Sequence, residues 1–258
     1  MPATNGDWMT NGDISADALR GIVEMAPIEI AELKALKQKI YAQPKPDAEN
    51  KKEFMWKAKL LQADIPQIYW DKVFHNFCND DRAKAITERY VSMIDEAYDE
   101  GMGVLFAGKH GTGKTMLSCI VLKSALKNGY TVRYLDTPKI IDNIMAGFGD
   151  RQIKDRLSTI VAGTEFLVID DFGKEYKGVG DKLAPMIQLE FDRILRLRIG
   201  KGKVTIGTTN HNSNSIRKAY GDSVCSIFLG HMQLIPVVGE DYRVHRGEKF
   251  GKRLMEGL

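Results

Sequence analysis

The chain has 258 residues, 43% hydrophobic and 28% charged, with a formal net charge of +3. That balance describes an ordinary soluble globular protein, with room for one large domain or a core domain with an appendage. It excludes a membrane span, since no apolar run is long enough, and the charge is too small to demand a nucleic-acid partner.

The opening MPATNGDWMT has neither the basic nor the apolar region of a signal peptide. Cys78, Cys119 and Cys225 lie far apart and form no C-x-x-C pair, which argues against a zinc module or a disulfide framework. A reducing cytoplasm, away from any membrane, is the expected setting.

In chain order, the first dozen residues, rich in Asn, Gly, Asp and Thr, read as loose. Ser15 or Asp17 caps a short helix carrying Leu19, Ile22 and Val23. Pro27 suits the first turn of a second helix with Ile30, Leu33, Leu36 and Ile40 on one face. Gln43-Pro44-Lys45-Pro46 stops it, and Asp47 caps a third helix with a Phe54, Ala58, Leu61 stripe and Trp56 and Leu60 beside it. Residues 1–63 therefore read as a small helical domain with no obvious catalytic group. It is either a cap on the main domain or a docking module offering an apolar stripe to a partner protein, and the hinge-like Pro44 and Pro46 favour docking.

Residues 64–258 read as the main domain. After an irregular aromatic stretch through Phe77, Asp80 or Asp81 caps a helix with Ile86, Tyr90, Met93, Ile94 and Ala97 as its core face, ending at Gly101. Gly103 to Ala107 is a short buried strand. Gly108-Lys109-His110-Gly111-Thr112-Gly113-Lys114-Thr115 then matches G-x-x-x-x-G-K-[ST], and Met116 to Lys127 continues as a helix. Strand, glycine loop and helix together mark a nucleotide site. Glycines let backbone N–H groups surround phosphate oxygens, and the helix N-terminus adds partial positive charge. Lys114 is expected on the β- and γ-phosphates and the Thr115 hydroxyl on Mg²⁺.

Thr131 to Leu135 is a second strand, followed by Thr137 as N-cap, Pro138 at the first helical position and an amphipathic helix through Ile140, Ile141, Ile144 and Met145. Arg151 to Val161 is another helix. Phe166-Leu167-Val168-Ile169-Asp170-Asp171 reads as a strand buried on both faces whose end carries two carboxylates. Pro185 to Ile199 is helical, with Ile187, Phe191, Ile194, Leu195 and Leu197 inward, and Val204 to Asn210 is a further buried strand. Alternating strands and helices imply a parallel sheet in a three-layer α/β sandwich. The strand ends then share one edge, where Asp170 would hold Mg²⁺, Asp171 would orient or deprotonate the attacking water, and Asn210 would bond that water or the γ-phosphate. The reaction implied is ATP hydrolysis. Arg243, Arg246, Lys249, Lys252 and Arg253 make a basic C-terminal tail, either simply solvated or following a phosphate backbone.

The set GKHGTGKT, FLVIDDFG and VTIGTTN, with ADIPQIYWDKVFHNF before it and VVGEDYR after it, resembles the DnaC/IstB-type AAA+ ATPases over roughly Ile65 to Arg243. The resemblance implies a P-loop AAA+ core with a reduced or absent lid, ATP and Mg²⁺ as ligands, single-stranded DNA as partner, and self-association into a spiral or ring. It places the phosphate-loop residues through Met116 at the nucleotide, Lys114, Asp171, Asn210 and Arg243 in catalytic and sensor roles, and Phe74 and Phe77 at the base. The resemblance also places DNA contacts around Lys139, Phe148, Arg151, Lys154 and Arg156, where an aromatic among cations suits base stacking with phosphate neutralisation, a pattern that an ordinary amphipathic helix also gives.

Two departures from the family pattern stand out. Asp171 is shorter than the Glu common in AAA+ proteins, and Gly221 to Phe228 carries no arginine, with Ser223 and Ile227 at the positions where one would reach a neighbouring subunit's ATP. Weak hydrolysis follows, or substitution by Arg217. The leading expectation is a loader whose N-terminal helices grip a hexameric replicative helicase. The alternatives are an IstB-like transposition helper and a passive DNA-binding protein with a weak ATP site; a small-molecule kinase would need an Arg-rich lid that the sequence lacks.

Overall fold

The computed structural model describes residues 48–147, 149–173, 184–211, 217, 222, 225–227 and 229–256. The chain divides into two compact units, Met1–Met55 and Trp56–Leu258. The helices expected between Ser15 and Ile40 and the Pro44–Pro46 hinge lie outside the described residues. Helix α1 (Ala48–Gln62) follows Asp47, and its later part belongs to the larger unit. There Leu60, not the stripe residue Leu61, sinks into the core with Ala63 and Ile65.

Five strands, β1 (Gly103–Ala107), β2 (Val132–Asp136), β3 (Phe166–Phe172), β4 (Val204–Thr209) and β5 (Met232–Pro236), form one parallel sheet in the order β2-β3-β4-β1-β5. The central strands are apolar almost throughout because both faces are covered. Val104, Phe106, Val168 and Ile206 pack on one face with Leu117, Val121 and Leu122 of α4 (Lys114–Lys127). Leu105, Leu167 and Ile169 pack on the other with Ile140 and Ile144 of α5 (Thr137–Gly147), Leu157 of α6 (Arg151–Gly163), and Ile187 and Phe191 of α7 (Ala184–Gly200). This is the expected three-layer sandwich.

Strand β5 escapes the sequence reading because it is an edge strand: Met232 and Ile235 are buried while Gln233, Leu234 and Pro236 face outward. At the opposite edge, the Tyr134 N–H donates to the Ala63 carbonyl at 2.8 Å, so the chain before the sheet covers part of β2. Lys123 of α4 fastens the same stretch. Its buried ammonium donates to the carbonyls of Tyr69 at 2.6 Å, Trp70 at 3.0 Å, and Lys72, and burial lowers its pKa.

Several local expectations are corrected. The helix after Asp80 breaks at Met93 into α2 (Asp81–Ser92) and α3 (Ile94–Asp99); Ile86 faces outward, and Ala83 and Thr87 are the buried positions of α2. Asp80 is its N-cap, accepting from the Ala83 N–H at 2.9 Å. Thr137 does not cap α5: it is the first helical residue, and Asp136 accepts from the Lys139 N–H at 2.7 Å instead. The basic C-terminal residues form a helix, α8 (Tyr242–Met255), capped by Asp241, with Val244, Phe250 and Leu254 exposed.

Near the end of α7, Leu197 is half-buried and Arg198 takes the fully buried place. Its guanidinium donates to the carbonyls of Val161, Thr164, Glu165 and Val204 and to the Thr205 hydroxyl, joining the end of α6 to the starts of β3 and β4. Burial lowers its pKa to about 9, so it stays cationic at neutral pH. An Arg198→Met substitution strips these acceptors of their donor in a dry site. It is expected to lower stability by about 3 kcal/mol or more, read as a shift of the urea midpoint.

Candidate functional site

The phosphate loop leaves β1 at the C-terminal edge of the sheet, and the Gly108 N–H donates to Thr209 of β4 at 3.1 Å. Two glycines set its shape. Gly113 has φ +97°, and a Cβ there would stand 2.7 Å from the Phe77 ring. Gly111 has φ +71°, and its Cβ would fall 1.7 Å from the Asp241 carboxylate. The loop is thus pressed between a buried aromatic that precedes the sheet and the cap of α8. Asn79 adds to this clasp, donating from Nδ2 to the carbonyls of Glu240 at 2.9 Å and Thr112 at 3.3 Å. The Tyr242 N–H donates to the Gly111 carbonyl at 3.1 Å. Phe77, expected at the base, stands against Gly113, and Phe74 is half-buried beside the same core.

Lys114 is buried, and its Nζ donates to the Lys109 carbonyl at 2.6 Å. The amine is already held over the loop's interior, where a phosphate oxygen would take over that carbonyl's role. Lys109 and His110, with Asn210, Gly239, Glu240 and Asp241, line an open cleft of about 540 Å³. Asn210 Oδ1 is buried and has no hydrogen-bond partner among the described residues, a position that suits a donor from a ligand or its water.

The carboxylate pair sits at the end of β3. Asp170 is buried and accepts from three hydroxyls: Thr208 at 2.6 Å, Tyr134 at 2.7 Å and Thr115 at 3.0 Å. Its own backbone carbonyl accepts from Thr137 at 2.8 Å. Burial raises the Asp170 pKa, the Thr208 and Tyr134 hydrogen bonds oppose that rise, the Asp171 charge adds to it, and the Thr115 bond again opposes it. Asp171 follows with φ +63°, in a left-handed conformation that few non-glycine residues adopt. Pairing between β3 and β4 runs Ile169 to Gly207 and then Phe172 to Thr209, so two aspartates stand opposite the single residue Thr208. That is a β-bulge, and it interrupts the alternation that would send neighbouring carboxylates to opposite faces.

The donor set fits Mg²⁺. A hydroxyl and a carboxylate, both hard oxygen ligands, lie 3.0 Å apart beside the phosphate loop. Magnesium typically takes one or two carboxylates and draws its remaining ligands from phosphates and water. Among the described residues no group of three His, Cys, Asp or Glu side chains forms a closed cage.

Other expected site residues are dispersed. Arg243 lies exposed on the first turn of α8, next to the Tyr242 N–H that meets the loop. Lys139 has its ammonium 3.8 Å from the Asp64 carboxylate, Lys154 pairs with Glu190 at 3.2 Å, and Arg156 is exposed. Arg151 opens α6. Phe148, the Arg151 side chain and Ser223 lie outside what is described. Ile227 is buried. Arg217 is exposed and pairs with Asp222 at 3.2 Å.

The sequence reading missed Tyr134, Thr208, Asn79 and Asp241. The first two carried a faint signal, being hydroxyl residues close to the ends of buried strands.

Among the described residues no helix is long and apolar enough to cross a membrane. The chain is 27% identical over 94 residues to a protein of Pseudomonas fluorescens described as the insertion sequence IS1162 putative ATP-binding protein, covering 36% of this chain and 40% of that one. The crystal structure of the DnaC helicase loader superposes with a TM-score of 0.58 at 24% identity, over 67% of this chain and 100% of that chain. The replication initiator DnaA, bound to AMPPCP and single-stranded DNA, gives 0.55 at 18% identity, over 68% of this chain and 51% of its own. At such identities these two speak for the fold, an α/β P-loop sandwich of the AAA+ kind. The sequence pattern of the IstB-like ATP binding proteins matches residues 60–249, most of the chain and every element that builds the phosphate loop and the carboxylate pair, so the protein belongs to that family.

Proposed function

We propose that this protein hydrolyses ATP and uses the nucleotide cycle to control assembly of a replicative helicase on single-stranded DNA. One observation carries the ATPase reading: the Thr115 hydroxyl meets Asp170, joining the phosphate loop to the paired carboxylates. Lys114 and the loop N–H groups would hold the β- and γ-phosphates, and Thr115 and Asp170 would hold Mg²⁺, which neutralises charge on those oxygens. Asp171 would accept the proton of the attacking water, Asn210 would orient that water or the γ-phosphate, and Arg243 would act as a second sensor. Phe74 and Phe77 would bound the base side.

The absence of an arginine from Gly221 to Phe228 supports slow turnover, with Arg217 the candidate to act on a neighbouring copy in a spiral or ring. Residues 1–63 would dock the hexameric helicase, and Lys139, Phe148, Arg151, Lys154 and Arg156 would follow the DNA strand. Similarity to the DnaC helicase loader over the whole of that chain supports this choice. The insertion-sequence relative favours a second reading, a helper ATPase of transposition. The match spans less than half of that relative's length.

Lys114→Ala is expected to abolish binding of a fluorescent ATP analogue while leaving the urea midpoint near that of the wild type. Retained binding would remove the loop from the mechanism. ATPase assays with and without single-stranded DNA are expected to show slow turnover that DNA accelerates; no turnover in either condition would favour the passive reading. Full-length protein used as bait should retain a hexameric replicative helicase, and retention of a transposase in its place would decide for the second reading.

A further inference from the structure

The bulge at Asp170 and Asp171 leaves one hydroxyl between two carboxylate residues. Thr208 is fully buried, and its Oγ1 accepts from the Asp171 N–H at 2.8 Å while donating to Asp170 Oδ1 at 2.6 Å. A single hydroxyl has one hydrogen to give and lone pairs to receive, so both bonds are made at once with unambiguous direction. The N–H it holds belongs to the residue with φ +63°, where a side chain is disfavoured unless the surroundings fix it. The next residues repeat the pattern: the Thr209 hydroxyl donates to the Phe172 carbonyl at 2.9 Å, and His211 lies 3.3 Å from the Gly173 carbonyl. Side chains of β4 and the residues after it thus replace the backbone ladder where the register shifts.

We infer that Thr208 is a positioning residue for hydrolysis, fixing the two carboxylates relative to each other by clamping the bulge. This rests on the ATPase reading above and adds to it the element that sets the Asp170–Asp171 geometry. Tyr134 holds the other oxygen of Asp170, at 2.7 Å. The clamp acts at the bulge, on the Asp171 N–H and the Asp170 carboxylate, while Lys114 and the loop N–H groups carry most of the hold on the phosphates, so turnover is expected to fall much further than nucleotide affinity.

Thr208→Val keeps the shape and removes both bonds. It is expected to lower kcat by about 10²-fold, the scale of an ångström misplacement, with the affinity for a fluorescent ATP analogue changed by less than about threefold. Thr208→Ser, which keeps the hydroxyl, restores most of the turnover. In the nucleotide-free protein, hydrogen exchange at the Asp171 amide should accelerate at least about tenfold in Thr208→Val and not in Thr208→Ser, with the Ile169 amide unchanged. If Thr208→Val does not fold, Thr208→Ala carries the same measurements. Wild-type kcat in a folded hydroxyl-free variant, or an unchanged Asp171 amide, overturns the inference. A wild-type protein without turnover overturns the ATPase reading instead, and amide exchange then still decides whether the clamp exists.

Discussion

The site depends on one buried carboxylate and the three hydroxyls that partly offset the cost of burying its charge. Taking Asp170 out of water disfavours its charge, and the bonds from Thr208, Tyr134 and Thr115 answer that. Those hydroxyls come from β4, β2 and the helix after β1. A single acceptor therefore fixes the relative height of three elements at the edge where strands end. The sheet order makes this possible, since β3 lies directly between β2 and β4 and the loop follows β1 one strand further on.

A second constraint acts on the loop from outside the sheet. Chain segments before β1 and after β5 meet over it, through Phe77, Asn79, Asp241 and Tyr242. The Lys123 ammonium anchors the earlier segment to α4, the same helix that begins with Lys114. Loop, linker and C-terminal helix are in this sense one structural unit, although they are far apart in sequence.

What could be read from the sequence follows from how locally each feature is encoded. The Gly108–Thr115 loop is contiguous and its chemistry admits few residue types, and the β3 run ends visibly in two aspartates. Three-layer packing likewise follows from uninterrupted apolar strands alternating with amphipathic helices. Strand β5 was illegible because an edge strand needs no continuous apolar run. Thr208 and Tyr134 were illegible for another reason: their roles arise from register, and a bulge that sets two residues opposite one leaves no mark in composition. Arg198 carried no signal in the sequence, since its five acceptors come from segments that only the fold brings together.

Helix α8 is rooted on the loop through the Asp241 cap and the Tyr242 N–H, yet much of its length stands in solvent. Its 14 residues extend about 21 Å. A rigid rod hinged at one end magnifies motion at the hinge, so a tilt of about 10° at Gly111 carries the far end through about 4 Å. The far end of α8 is therefore the place where a change in loop geometry would be displaced most.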